Sequence, residues 1–312
     1  MKFHSALNTG TGLALITALI SGTNNFLTKV GVTVVSDPIF YTTLKNIVTV
    51  FLLLGAFILL RKWSEMKTLS TKEWVQLFAI GTIGGAIPFA LFFTGLSMTS
   101  ALSGALIHKT LVFWVLLLAY PLLKERLSPL ALLGVIAIFG ANFILGGFRG
   151  FHFGTGELLI LAATLLWATE TIIAKKILSR VSPLLVASAR MMIGSVLLLL
   201  FLGFSGRLVS VAHVSTLGWS ITALSGILLF GYVLAWYSAI AKAPATYVAA
   251  LLVPATLVTN ILSIALVTHA VTGTQLISAG LTAIGVGLLV IYGKRGVQSV
   301  TTHGQFSTQT RG

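Results

Sequence analysis

No cysteine occurs in the chain, and only six of its 312 residues are Asp or Glu. The first absence excludes disulfides, thiolate nucleophiles, Cys-ligated zinc and iron–sulfur clusters. The second leaves too few carboxylates for a hydrolase built on paired acids. Charged residues of both signs make up 8% of the chain, against about a quarter in a soluble globular domain. Walker A, His-Glu-x-x-His and Gly-x-Ser-x-Gly patterns are also missing, so nucleotide hydrolysis and the common hydrolytic chemistries have no local signature. What is present is apolar, with 56% hydrophobic residues. That composition describes an integral membrane protein, in which a net charge of +14 reports topology rather than affinity for nucleic acid.

A helix needs roughly 20 apolar residues to cross about 30 Å of hydrocarbon, so uncharged stretches act as a ruler. No Asp, Glu, Lys or Arg falls between Ala243 and Lys294, a length suited to two crossings. Breaks at polar, Gly and Pro clusters give ten spans, near 10–31, 38–60, 74–96, 98–119, 127–147, 156–178, 183–204, 217–239, 244–268 and 272–293. With the N-terminus inside, most cations lie in cytoplasmic segments. Lys29, Arg149 and Arg207 stay outside, and Lys45, Lys109 and Arg190 fall within spans. The opposite orientation violates the positive-inside rule, so both termini are expected in the cytoplasm. A secretory signal over the first 22 residues is the competing reading; the run continues through Phe26 and Leu27 and has a counterpart later in the chain.

That counterpart emerges on shifting the chain by about 145 positions. Asp37-Pro38 falls on Ser182-Pro183, Lys45 on Arg190, Thr23-Asn24-Asn25 on Thr169-Glu170-Thr171, and Thr99-Ser100-Ala101 on Ala245-Thr246-Tyr247. Matches in the same order mark a duplicated unit. Because each unit holds five spans, the second enters the membrane from the opposite face. The expected architecture is therefore all-α, ten transmembrane helices as two inverted five-helix repeats, with a binding site near the midplane between them. The first repeat covers 1–147, an external linker 148–155, the second repeat 156–293, and a polar tail expected to be disordered 294–312.

The stretches from Thr99-Ser100-Ala101 to Leu122-Leu123-Lys124-Glu125-Arg126-Leu127-Ser128, and from Ala243-Pro244-Ala245-Thr246 to Val253-Pro254, resemble those of the drug/metabolite transporter superfamily, specifically its EamA-type ten-helix exporters. The likeness covers about residues 10–293. It implies export of a metabolite, amino acid or drug through a central cavity lined by the first, third and fourth spans of each half, in a bacterial or archaeal plasma membrane. Two features depart from the pattern: Glu125 has no acidic counterpart in the second half, and His108-Lys109 stands where a Pro is expected.

Lys109 falls near the bilayer centre, where a cation costs about 3 kcal/mol; it either binds an anionic substrate group or pairs with Glu170. Glu170 is the one acid deep within a span and suits proton coupling, recognition of an ammonium, or that same pair. His108 sits about 100° round the helix from Lys109. Asn24 matches Glu170 in depth, and Tyr247 and Trp114 are the aromatics best placed to line the cavity. Lys45 and Arg190 recur by repeat and read as architectural, capping carbonyls or snorkelling. Pro88 and Pro254 free backbone carbonyls within their spans, as hinges, cavity lining or packing kinks.

The sequence thus describes a carrier exporting a small metabolite, an amino acid or related zwitterion, by alternating access. Its site is Lys109, Glu170, Asn24, Tyr247, His108 and Trp114. It needs no cofactor or metal, acts on no nucleic acid, and couples to a proton or counter-substrate. The alternatives are a sugar-phosphate or nucleotide-sugar exchanger, which requires converging cations, and a membrane enzyme, which requires a catalytic cluster at one interface. Because the chain has no native cysteine, Ser64→Cys and Gly150→Cys report its topology cleanly. A membrane-impermeant maleimide is expected to label the Gly150 position in intact cells and the Ser64 position only after permeabilisation; the reverse pattern contradicts the orientation.

Overall fold

A computed structural model describes residues 2–35, 37–146, 154–208 and 214–309, and every regular element among them is helical. In order these are α1 (Lys2–Val35), α2 (Pro38–Leu59), α3 (Trp63–Lys67), α4 (Thr71–Gly85), α5 (Ile87–Leu96), α6 (Ala101–Lys109), α7 (Leu111–Leu123), α8 (Pro129–Gly146) and α9 (Thr155–Ile177). There follow α10 (Pro183–Phe204), α11 (Thr216–Lys242), α12 (Ala245–Leu252), α13 (Ala255–Ser263) with a π-turn over Ile264–Thr268, and α14 (Gly273–Gln309).

Local chemistry sets the helix starts. Asp37 caps α2 through bonds from the Ile39 and Phe40 amides, with Pro38 at the first helical position, where its missing N–H costs nothing. Ser182 and Pro183 repeat the arrangement at α10. Ser70 and Glu73 form a reciprocal capping box at α4. Three spans break midway: α4 gives way to α5 at Ala86, just before Pro88, α6 to α7 at Thr110, and α12 to α13 at Val253-Pro254.

Among the described residues, eight stretches are long and apolar enough to cross a membrane: Pro38–Leu59, Thr71–Leu96, Ser103–Leu123, Thr155–Ile177, Pro183–Phe204, Thr216–Lys242, Ala245–Thr268 and Gly273–Gly293. Pro129–Ile144 is a shorter apolar helix. The 34-residue α1 is long enough but carries many polar residues, among them Thr11, Thr17 and Asn24, which are buried. The outward faces carry Leu59, Phe204 and Leu276, the lipid-facing surface of a multi-pass membrane protein. Trp74 and Trp219, each in the first turn of its helix, are both 43% exposed, as suits aromatic side chains at a membrane interface. Helix α14 continues to Gln309, past the point where the last span was expected to end, in a tail whose composition favours disorder. The expected linker 148–155 lies outside the described residues except for Gly154 and Thr155.

The two halves interdigitate. Helix α1 packs on α11 and α13, α8 on α14, α4 on α10, α5 on α9, and α2 on both α10 and α11. In lipid no hydrophobic force draws helices together, so close backbone approach at small residues takes its place. Glycines of opposite halves meet in three such places: Gly85 with Gly194, Gly95 with Gly156, and Gly134 with Gly285. A Cβ on Gly285 would sit 2.6 Å from the Gly134 carbonyl oxygen, whereas one on Gly287, two residues along the same helix, meets nothing within 4 Å. Gly285→Ala is therefore expected to destabilise the folded protein by about 1 to 3 kcal/mol, and Gly287→Ala to leave it unchanged or slightly more stable. Thermal unfolding in detergent checks the pair; equal effects contradict the packing.

Candidate functional site

The site begins with a missing hydrogen. In an unbroken helix the Gly84 carbonyl would accept from the amide of residue 88, but Pro88 has none. The chain turns at Ala86, and the free Gly84 oxygen accepts instead from the second half: Trp167 Nε1 on α9 donates at 3.0 Å and Arg190 Nη2 on α10 at 3.1 Å. Gly84 also admits the Glu170 side chain, because a Cβ there would lie 2.5 Å from Glu170 Cγ and 3.3 Å from Arg190 Nε.

Glu170 is 2% exposed and accepts a 2.6 Å hydrogen bond from the Tyr237 hydroxyl on α11. Arg190 acts on both through charge, its guanidinium carbon 6.0 Å from the Tyr237 ring centre. Its Nε finds no partner among the described residues. The repeat-related cation, Lys45 on α2, lies against Tyr41 at 5.5 Å and donates to Thr28 at 3.3 Å. Tyr41 in turn donates to Ser225 on α11 at 2.7 Å. Both intramembrane cations of the second spans thus rest on tyrosines, and Arg190 caps a carbonyl as the repeat suggested.

Of the residues expected at the site, His108 joins this cluster, its ring 4.8 Å from Trp167 and 5.4 Å from Phe92, with Nδ1 unpartnered. Lys109 turns the other way and donates to Asn142 on α8 at 2.6 Å. Lys109 and Glu170 form no ion pair; among the described residues the salt bridges are Lys62 with Glu65 and Arg207 with Asp37. Asn24 is buried, with Oδ1 unpartnered. Trp114 donates to Thr110 on its own chain segment at 3.0 Å. Tyr247, fully buried, lies toward one end of the bundle within 3.3 Å of the Thr11 hydroxyl. The six therefore do not form one cluster: His108 and Glu170 share the seam, and the others line neighbouring contacts. Arg190, Tyr237, Trp167 and Gly84 complete the seam. The signals that pointed to them were Pro88, which orphans a carbonyl four residues earlier, and the depth of Arg190.

The ends of the bundle are tied by carboxylates. Glu125 accepts from the Ala245 and Thr246 amides, both at 2.9 Å, so the acid without a repeat counterpart caps α12 in the other half. At the same corner Lys175 donates to the Ile240 and Ala243 carbonyls at 2.6 and 2.7 Å. Ile240 is the carbonyl that Pro244 leaves free. The Ala250 carbonyl, freed by Pro254, accepts instead from Val253 within its own segment at 3.2 Å. Glu65 accepts from both the amide and the hydroxyl of Ser182, and Thr99 donates to Glu157.

The sequence pattern of the EamA-like transporter family matches residues 8–147 and again 154–291. An uncharacterized transporter of Methanothermobacter thermautotrophicus is 26% identical over 148 residues, which cover 46% of this chain and 43% of that protein. The uncharacterized transporter YyaM of Bacillus subtilis is 27% identical over 158 residues, 49% of this chain and 52% of YyaM. The chain thus spans about half the length of the curated relatives it matches. A crystal structure described only as that of a protein has the same fold, with a TM-score of 0.77 over 92% of this chain and 98% of that one at 18% identity.

Removing the Tyr237 hydroxyl leaves a buried carboxylate oxygen without its donor. Tyr237→Phe is expected to cost about 1 to 3 kcal/mol, and Tyr237→Phe combined with Glu170→Gln to cost clearly less than the sum of the two single changes. Unfolding measurements on the four proteins check this; strict additivity contradicts the contact.

Proposed function

Because the chain belongs to the EamA-like transporter family, we propose that this multi-pass membrane transporter exports a small metabolite, an amino acid or related zwitterion, by alternating access between two inverted five-helix repeats. The single observation that carries this reading is the charged seam where α4 and α6 of one half meet α9, α10 and α11 of the other. Ionisable groups at membrane depth are costly and mark substrate or ion paths. Here one carboxylate and a guanidinium lie against Tyr237, with His108 packed on the neighbouring Trp167, and Asn24 Oδ1, His108 Nδ1 and Arg190 Nε are buried without hydrogen-bond partners among the described residues. Such orphan groups call for a polar ligand or water to complete them. Glu170 is the group suited to a substrate ammonium or a coupling proton, and Lys109 or Arg190 the group suited to a carboxylate. His108 adjoins these positions through Trp167, and Asn24, Trp114 and Tyr247 belong to the proposed site as residues outside the seam.

The end contacts support ten crossings. Glu65 meets Ser182 and Glu125 meets Ala245, while Asp37 meets Arg207 and Thr99 meets Glu157. These pairings are satisfied when successive loops alternate between faces, with α1 and α8 also crossing. Helix α2 then starts at the Asp37 face and α10 at the Glu65 face, the inversion required of the repeats. The cationic loops put the Glu65 face, and with it both termini, in the cytoplasm. A sugar-phosphate exchanger fits less well, because Lys109 and Arg190 have separate partners rather than converging.

Profiling metabolites in medium and cytosol of cells expressing wild type, Glu170→Gln or Lys109→Gln at matched membrane abundance tests the proposal. One zwitterionic class is expected outside only with wild type, and each variant to reduce its export by about tenfold or more, as loss of a charged hydrogen bond does. Unchanged export in both variants contradicts the site, and no accumulation with any protein contradicts export.

A further inference from the structure

Away from the seam, the cytoplasmic-face turns α2–α4 and α9–α10 enclose a depression of about 560 Å³. It is lined by Lys62, Ser64, Glu65 and Thr68 of the first half and by Ser179 and Arg180 of the second. Glu65 is occupied structurally: its two oxygens accept from the Ser182 amide at 2.6 Å and the Ser182 hydroxyl at 2.8 Å, and Lys62 lies 3.8 Å away. It holds the two turns together and has no oxygen free of a donor. The Arg180 side chain is exposed and makes no hydrogen bond to the described protein; Glu73 lies within electrostatic reach of it, its carboxylate bound by Ser70. The depression therefore presents two cations around one carboxylate whose oxygens are both engaged, a net positive charge beside the Ser64 hydroxyl. Segments 61–73 and 175–180 together carry seven cations against two acids.

The depression also sits at the edge of the hydrocarbon. Leu59 is 83% exposed, Leu60 63% and the Trp63 ring 50%, with Trp63 stacked edge-on against Phe57 at 5.0 Å. Exposed leucines beside a half-exposed tryptophan mark the depth at which acyl chains end and head groups begin. A ligand reaching the cations from that side brings an anionic head and an apolar body.

We propose that this depression is a binding site for a phosphate group carried by an acidic phospholipid, with Lys62 and Arg180 contacting the phosphate and Ser64 adding a hydroxyl, while Thr68 and Ser179, whose hydroxyls donate to the Glu65 and Lys176 carbonyls, shape the wall. The site bridges the two halves at their turns, so an occupant strengthens the contact Glu65 makes with Ser182. It is independent of the transport reading, since none of its residues lies in the seam.

Native mass spectrometry of the detergent-purified full chain, titrated with dioleoylphosphatidylglycerol or dioleoylphosphatidylcholine, tests it. Phosphatidylglycerol is expected to be retained preferentially, and Lys62→Gln and Arg180→Gln each to lower its apparent affinity about fivefold, the contribution of one cation near a lipid surface. Lys29→Gln, which removes an exposed cation from the opposite end of the bundle, is expected to change nothing and controls for overall charge. Inorganic phosphate separates the sources: competition at millimolar concentration, lost in the same two variants, means that the site takes the phosphate from water and overturns the lipid assignment. Equal retention of the two lipids, or an unchanged preference in both variants, overturns the site itself.

Discussion

One backbone carbonyl with no partner in its own helix organises the contact between the halves. Pro88 removes the hydrogen that Gly84 would have received, and in hydrocarbon an unmet carbonyl costs several kcal/mol. The second half meets that cost, with Trp167 and Arg190 donating to the same oxygen. Everything else at the seam follows from the position of those two side chains. Trp167 packs edge-to-face with His108, and one turn along α9 Glu170 enters the space that Gly84 leaves empty and takes its bond from Tyr237. The halves cannot part at this point without baring a polar group to lipid.

The same device recurs at one end of the bundle and fails to recur at another. Pro244 frees the Ile240 carbonyl, and Lys175 from α9 answers it, beside the Glu125 carboxylate capping α12. Pro254 frees Ala250, yet Val253 three residues on accepts the task locally. A proline within a span stitches helices together only where a donor from another element reaches the freed oxygen. Between such points the halves are held by glycine contacts, which need no polar partner and let one backbone slide against the next.

Much of this was legible in the chain. Charge-free lengths marked the eight long apolar stretches, the 145-residue shift paired Lys45 with Arg190, and Pro88 announced an orphaned carbonyl. What stayed hidden is azimuth. Sequence gives the depth of Lys109 and Glu170 in the membrane but not the direction each faces, and one residue of helix turns a side chain by about 100°. Lys109 faces Asn142 on α8 and Glu170 faces Tyr237 on α11, so two opposite charges that depth alone would pair have separate partners. Tyr237 was hard to foresee for a further reason: its repeat counterpart is Phe92, so the duplication carries no trace of the hydroxyl. Glu125 had looked anomalous for lacking an acidic twin; its role as a cap on the other half explains why one copy suffices.

The claim that an open carbonyl at Gly84 creates the working seam is tested most directly by Pro88→Ala. The new amide can close the helix through Ala86 and recover the Gly84 oxygen, leaving Trp167 and Arg190 without their acceptor. Measured at matched membrane abundance, with unfolding followed in parallel, the variant is predicted to stay folded, at a stability lowered by about 1 to 3 kcal/mol because two buried donors lose their acceptor, and to lose the proposed transport. A folded variant that transports at the wild-type rate contradicts the account.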